Sequence, residues 1–118
     1  MEVVNVKVKY IRPKYANLKE WMSDPDNVYI GRGGVVFVDG LRWPKQDSVW
    51  ANPYKIGRDG DRQEVLAKYK QYINEKIKKD KEMIAQLHKL KGKLLGCWCK
   101  PEECHGDILI SLIEEYVQ

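Results

Sequence analysis

Phenylalanine occurs once in this 118-residue sequence, histidine twice and cysteine three times. Three cysteines cannot all pair within one chain, which disfavours a secreted scaffold held by disulfides and favours free thiols or metal ligands in a reducing compartment. No apolar run approaches the length of a membrane-spanning helix, and no secretory signal precedes the first strand pattern. We therefore expect a cytoplasmic protein without membrane contacts.

The aromatic residues are mainly four tryptophans and seven tyrosines. Such rings are favoured where one edge is buried and the other meets water or a ligand. Apolar residues make up 43% of the chain, which is enough for a globular core and argues against disorder. The formal net charge of +4 permits a phosphate-bearing partner without requiring one. The length suits a single domain over residues 1–118.

Short apolar patterns in the first third of the chain predict strands. Alternating valines over residues 3–11 predict a half-exposed strand, and residues 28–32 and 35–38 predict two more. The spacing predicts a hairpin across Gly33-Gly34. A short helix is expected over residues 17–22.

The second half of the chain shows helical patterns. Asp61 with Glu64 three residues later is a capping-box signal, Asp80 caps a second helix, and a third helix begins near Cys104. The apolar run over residues 94–99 predicts a buried strand between the second and third of these helices. Strands that alternate with helices indicate an α/β fold, with a small mixed sheet flanked by helices in one three-layer domain.

All three cysteines and one histidine gather between that strand and the last helix, as Cys97, Cys99, Cys104 and His105. Zinc accepts cysteine and histidine ligands, so these four residues are a candidate zinc site. Their spacing is not a common zinc-finger spacing. Structural thiols in the core, and redox or nucleophilic thiols, are therefore two further interpretations.

The nucleophilic interpretation favours Cys104. The helix dipole and the imidazolium form of His105 both lower the pKa of a thiol at a helix N-terminus, although two adjacent glutamates oppose a thiolate. His105 would act as a general acid or base, and Asp107 would orient it or bind a hydroxyl. The plainer roles are a cap contact for His105 and a complement to the helix dipole for Asp107. The catalytic candidates are thus Cys104, His105 and Asp107.

A second candidate segment spans residues 40–60, which follow the turn pair Asp39-Gly40 and have no clear period. Long irregular segments inside compact domains are often functional. Lys55 and Arg58 precede a helix start, where cations and backbone amides hold phosphate or carboxylate groups. Asn52 would form hydrogen bonds with a base or a sugar. An Asx-Pro turn followed by a glycine turn explains the same residues equally well.

Two segments of the chain resemble a widespread family of small domains of unknown function found in bacteria, archaea and viruses. The similarity lies in an N-P-[FY] motif at residues 52–54 and a C-W-C…C-H-[GA]-D motif at residues 97–107, with residues 29–32 similar to its N-terminal signature. The helix start also resembles another uncharacterised α/β family, in which C-H-R opens the helix. The resemblance covers nearly the whole chain and implies a site more than a mechanism. In the family the position of Cys97 is the least fixed, which weakens a four-ligand zinc site.

Together these observations predict a ligand cavity between residues 52–58 and residues 99–107. We expect it to bind or process a nucleotide or the phosphate–sugar part of a nucleic acid. The ligand-binding candidates are Arg32, Asn52, Tyr54, Lys55, Arg58 and Trp98, with Trp50 as an alternative stacking ring. One alternative is a non-enzymatic binding module stabilised by zinc. Another is a basic nucleic-acid-binding domain that uses the lysines of the two middle helices, which are otherwise a solvated face.

Overall fold

A parallel three-stranded sheet forms the centre of the computed structural model, which describes residues 1–117. The elements in chain order are β1 (Glu2–Asn5), α1 (Val8–Ile11), α2 (Leu18–Ser23), β2 (Asn27–Tyr29), β3 (Val36–Val38), β4 (Leu41–Trp43), α3 (Arg62–Lys79), α4 (Lys81–Leu90), β5 (Leu94–Cys97) and α5 (His105–Tyr116). Strand β5 lies between β1 and β2 and pairs with both in parallel. Strands β3 and β4 form a separate antiparallel hairpin.

The two faces of the central sheet bury two clusters of side chains, because successive residues of a strand point to opposite faces. Val3 and Leu95 belong to the larger cluster, which includes the buried faces of α3, α4 and α5. Trp21 and Tyr29 belong to the smaller cluster, which α1 and α2 also supply. The α/β class and the arrangement of helices around a small sheet, both predicted from the sequence, are confirmed.

Gly96 in the middle of β5 explains how the smaller cluster reaches the sheet. A Cβ atom at this position would collide with the indole of Trp21 and would lie 2.7 Å from Cγ1 of Val6. Glycine therefore lets a large ring pack directly against the central strand.

The prediction of one strand over residues 3–11 is wrong beyond Asn5. The Asn5 side chain accepts a hydrogen bond from the amide of Lys7 at 3.0 Å and donates one to the carbonyl of Lys100 at 2.7 Å. These bonds turn the chain where its partner strand also ends, since Asn5 pairs with Cys97. The alternation of valines thus continues beyond the point at which β5 offers backbone hydrogen bonds to β1.

The predicted hairpin across Gly33-Gly34 is also wrong. Residues 27–29 pair with β5, and the hairpin instead joins β3 to β4 across Asp39 and Gly40, with Val38 opposite Leu41. Both turn residues have positive φ angles, 54° and 78°, as a two-residue hairpin turn that follows the twist of its strands requires. The turn at Asp39-Gly40 is confirmed. The strand that follows it, β4, lies in the segment 40–60 that the sequence predicts to be irregular.

The helices of the second half begin where their caps predict. The carboxylate of Asp61 accepts the amide of Glu64 at 2.9 Å, and the Glu64 carboxylate accepts the amide of Asp61 at 3.1 Å. Asp80 caps α4, and Cys104 is the residue before α5. Within residues 1–117, no helix has both the length and the apolar character that crossing a membrane requires.

We expect Asp61→Ala to lower the free energy of unfolding by about 1 kcal/mol, because the first amides of α3 lose their acceptor. Chemical denaturation followed by circular dichroism measures this change. Asp26→Ala is the matched control, since Asp26 is exposed and caps no helix, and it should change stability by less than about 0.5 kcal/mol. Equal losses in both variants would contradict the assigned capping box.

Candidate functional site

A cavity of about 430 Å³ opens between the loop that precedes α3 and the turn between β5 and α5. It is lined by Gly31, Arg32, Val35, Asn52, Tyr54, Lys55, Ile56, Arg62, Val65, Leu66, Cys97, Trp98, Cys99, Glu103, Cys104 and His105. The two segments that the sequence singles out therefore meet around one space. They meet at the carboxyl end of β5, the edge where α/β sheets usually hold ligands.

Arg32 fixes the first of these segments in place. Its Nη2 donates to the carbonyl oxygens of Asn52 at 2.9 Å and Tyr54 at 3.0 Å. The side chain of Asn52 accepts the amide of Tyr54 at 2.9 Å, which closes an Asx turn. Arg32 thus shapes the loop as well as adding positive charge to the cavity wall.

The cavity wall carries more cations than carboxylates. Arg32, Lys55 and Arg62 line it, with Glu103 as the one carboxylate. Arg62 donates from Nη1 to the Glu103 carbonyl oxygen at 2.7 Å, which ties the start of α3 to the β5–α5 turn. Arg62 was not among the candidates predicted from the sequence. A signal was present, because a cation in the first turn of a helix opposes the helix dipole.

Besides His105, two aromatic side chains contribute to the wall, Tyr54 and Trp98. Nε1 of Trp98 donates to the Tyr29 hydroxyl at 2.8 Å, and the two rings meet edge to face. Trp50 is only 3% exposed, and its carbonyl oxygen accepts the hydroxyl of Tyr69. Trp50 is a core residue, so the stacking role offered for it from the sequence does not fit.

Three of the four predicted metal ligands form a buried group. One ligand atom each from Cys97, Cys104 and His105 lies within 4.8 Å of the others. Cys99 falls outside this group. It is half-buried beyond the end of β5, with its amide 3.4 Å from Sγ of Cys97. The strand predicted over residues 94–99 stops at Cys97, so Cys99 lies beyond the ladder, where its thiol contacts that of Cys97 but does not join the group of three.

His105 is held in a defined protonation state. Its Nε2 lies 2.6 Å from the carbonyl oxygen of Ile30, and because a carbonyl only accepts, Nε2 carries the hydrogen. Burial lowers the pKa of His105, which keeps the ring neutral and leaves the lone pair on Nδ1. Metal-binding histidines usually donate their second ring nitrogen in this way, as do satisfied histidines in a core.

Hydrogen bonds among the three thiols shift their pKa values in opposite directions. The contacts of Cys97 with Cys104, then with Cys99, together with burial, raise the pKa of Cys97 far above its usual range. The hydrogen bond from Cys97 lowers the pKa of Cys104 and brings that of Cys99 to about 6, against opposition from burial. The Arg62 guanidinium adds to the effect on Cys99. Thiolate character thus falls on Cys99 and Cys104.

Two sequence candidates lie outside the cavity wall. Arg58 is exposed and pairs with Asp59 at 2.7 Å, and it also donates to the carbonyl oxygen of Pro53. The Asp107 carboxylate pairs with Lys100 at 2.7 Å and accepts the amide of Cys104 at 3.1 Å. These contacts agree with the plainer of the two roles predicted for Asp107, at the start of α5, and its catalytic role stays a prediction.

These features define an α/β domain with a basic, ring-lined cavity beside a buried thiol–imidazole group. The chain belongs to the family described as Domain of unknown function (DUF4326), whose model matches residues 14–115. This confirms the resemblance seen in the sequence, and it carries no activity with it.

Two relatives are uncharacterised proteins of viruses. One, from Acanthamoeba polyphaga mimivirus, is 35% identical over 105 residues, which cover 76% of this chain and 71% of the relative. The other is a 12.4 kDa protein from the nrdA-td intergenic region of Enterobacteria phage T4. It is 37% identical over 65 residues, which cover 54% of this chain and 58% of the relative. No solved structure matches the chain.

Proposed function

We propose that the cavity binds a nucleotide, either free or as the phosphate–sugar part of a nucleic acid. The observation that carries this proposal is the convergence of Arg32, Lys55 and Arg62 on one cavity whose wall has a single carboxylate. Such a surplus of positive charge attracts phosphate. The volume of about 430 Å³ lies in the range of small-molecule sites.

The two arginines are oriented before any ligand arrives. Arg32 is anchored through Nη2 and Arg62 through Nη1, in each case to backbone carbonyl oxygens. An anchored guanidinium keeps further N–H groups in a fixed plane, so less conformational entropy is lost when it binds phosphate. Tyr54 and Trp98 supply ring faces for a base. If the ligand is also processed, Cys99 and Cys104 are the candidate nucleophiles, since both line the cavity and both have a lowered pKa.

The test is a titration with a nucleoside monophosphate, compared with the nucleoside and with inorganic phosphate. We expect the monophosphate to change tryptophan fluorescence through Trp98 and to raise the melting temperature. At a concentration of about 100 times Kd, the stabilisation should be about 2.7 kcal/mol. Trp98→Phe should remove most of the fluorescence change. Saturating nucleotide that alters neither signal would contradict the proposal.

A second candidate function is a binding module stabilised by zinc, favoured by the close approach of Cys97, Cys104 and His105. Two sulfurs and the Nδ1 atom of a neutral histidine are a donor set that zinc accepts. Cys99 would be a fourth ligand only if it moved toward this group.

Elemental analysis and chelation test this candidate. We expect about one zinc per chain and a lower melting temperature after chelation. Cys104→Ser should abolish retention of zinc. Cys99→Ser should leave it intact if the site has three protein ligands and weaken it if there are four. Metal-free protein with three freely titratable thiols would exclude the zinc module.

A further inference from the structure

A groove with a volume of about 440 Å³ lies beside the cavity, between α1 and the hairpin. Its lining includes Lys7, Lys9, Arg12, Phe37 and Trp98. Trp98 lines both the groove and the cavity. The groove and the cavity therefore adjoin at this ring.

Every charged side chain that lines the groove is a cation. Lys7, Lys9 and Arg12 are exposed, and no aspartate or glutamate shares the wall. Within residues 1–117, the ion pairs are Arg58–Asp59 and Lys100–Asp107, so no carboxylate neutralises the three groove cations. An unneutralised row of cations in a concave surface favours a polyanion.

Phe37 adds a stacking surface to the groove. It is the only phenylalanine of the chain, and it is 66% exposed on β3. Arg42 lies opposite on β4, with its guanidinium carbon 5.0 Å from the centre of the ring. Exposed rings beside cations are the surfaces on which proteins stack unpaired bases.

We propose that this groove binds single-stranded nucleic acid that flanks the nucleotide in the cavity. Lys7, Lys9 and Arg12 contact its phosphates, and Phe37 stacks on a base. A single strand fits better than a duplex, because a base that is already stacked and paired has no face free for Phe37. This inference rests on the proposed function, since the strand passes Trp98 on its way into the cavity.

The experiment measures binding of a labelled single strand of about 12 nucleotides by fluorescence anisotropy at several salt concentrations. We expect K7Q/K9Q/R12Q to weaken binding by at least about tenfold and to reduce the salt slope by about 2, which corresponds to three phosphate contacts. Phe37→Ala should weaken binding by about fivefold or more. The matched control, K78Q/K81Q/K89Q, removes the same charge from exposed positions of α3 and α4 and should change little.

The outcomes separate this inference from the proposed function when the monophosphate titration is repeated on the same variants. Unchanged monophosphate binding with weakened strand binding in the groove variant supports both. Equal weakening by groove and control variants overturns the groove and favours the lysines of the middle helices. Unweakened strand binding in the groove variant also overturns it. Absence of monophosphate binding, with the groove effect intact, overturns the cavity proposal alone.

Discussion

Arg32→Gln should lower the affinity for a nucleoside monophosphate by at least about tenfold, since charge-assisted hydrogen bonds contribute about 1.5–3 kcal/mol each. The substitution removes a cation from the cavity wall. It also releases the carbonyl oxygens of Asn52 and Tyr54, which Arg32 now holds at 2.9 and 3.0 Å. Isothermal titration calorimetry measures the affinity, and the melting temperature without ligand shows whether the variant is folded.

Arg58→Gln is the matched control for Arg32→Gln. Arg58 carries the same charge and lies in the loop that Arg32 contacts. Its side chain, however, is 58% exposed and pairs with Asp59 outside the cavity wall. We expect its affinity to stay within about twofold of the unmodified protein, because exposed charges contribute little. The affinity of Arg32→Lys should lie between those of the two variants, since lysine keeps the charge and loses the planar guanidinium. Equal losses for Arg32→Gln and Arg58→Gln would place the ligand elsewhere.

Cys99 should be the most reactive thiol toward iodoacetamide in metal-free protein near neutral pH. Its pKa of about 6 makes it largely thiolate at pH 7, whereas the pKa of Cys97 is raised and its thiol stays protonated. Only Cys99 combines this thiolate character with a half-buried rather than a buried position. Mass spectrometry after limited alkylation identifies the modified residue, and the rate against pH gives the midpoint.

Cys97→Ala should move that midpoint upward, toward the usual thiol value of about 8.5, because it removes the hydrogen bond that lowers the pKa of Cys99 most. The rate at pH 7 should then fall by about tenfold. Cys104→Ala is the control, since it keeps the contact between Cys97 and Cys99. A midpoint that stays near 6 in Cys97→Ala would contradict the assigned thiol network.

The same lowered pKa has a consequence for stability. Because folding lowers the pKa of Cys99, its thiolate stabilises the folded state fully above the unfolded value of about 8.5, and this contribution is lost as the pH falls toward 6. His105 acts in a lower window. Burial lowers its pKa, so the unfolded chain takes up a proton first and the folded state loses stability as the pH falls below about 6.5.

Sequence patterns predicted the elements that depend on interactions between residues close together in the chain. The capping pairs at Asp61 and Asp80 and the apolar faces behind them mark α3 and α4, and both helices begin where expected. The partner of β2 has no such local signal, because it lies in β5, about 65 residues further along the chain. Strand β4 is only three residues long, too short to show a period of two.

The site was predictable to the level of its segments. Placing Cys99 and Cys104 at the end of a central strand follows from the apolar run before them. The direction of a single side chain does not follow. Arg58 and Lys55 look alike in the sequence, yet Asp59 and Pro53 hold Arg58 outside the cavity wall. Arg62 enters the cavity because α3 begins beside the β5–α5 turn. Its place in the first helical turn was visible in the sequence, but its contact with Glu103 is visible only in the tertiary structure.

The position of β5 also sets the order of events during synthesis. Both β1 and β2 leave the ribosome before their shared partner exists, since Glu2 and Asn27 each pair with Leu94. Until then the nascent chain has two unpaired strands that are open to chaperones or to premature association. Closing such long segments is slow, so the sheet forms late. The cavity, built on the end of β5, is therefore complete only after its last wall residue, His105, has been translated.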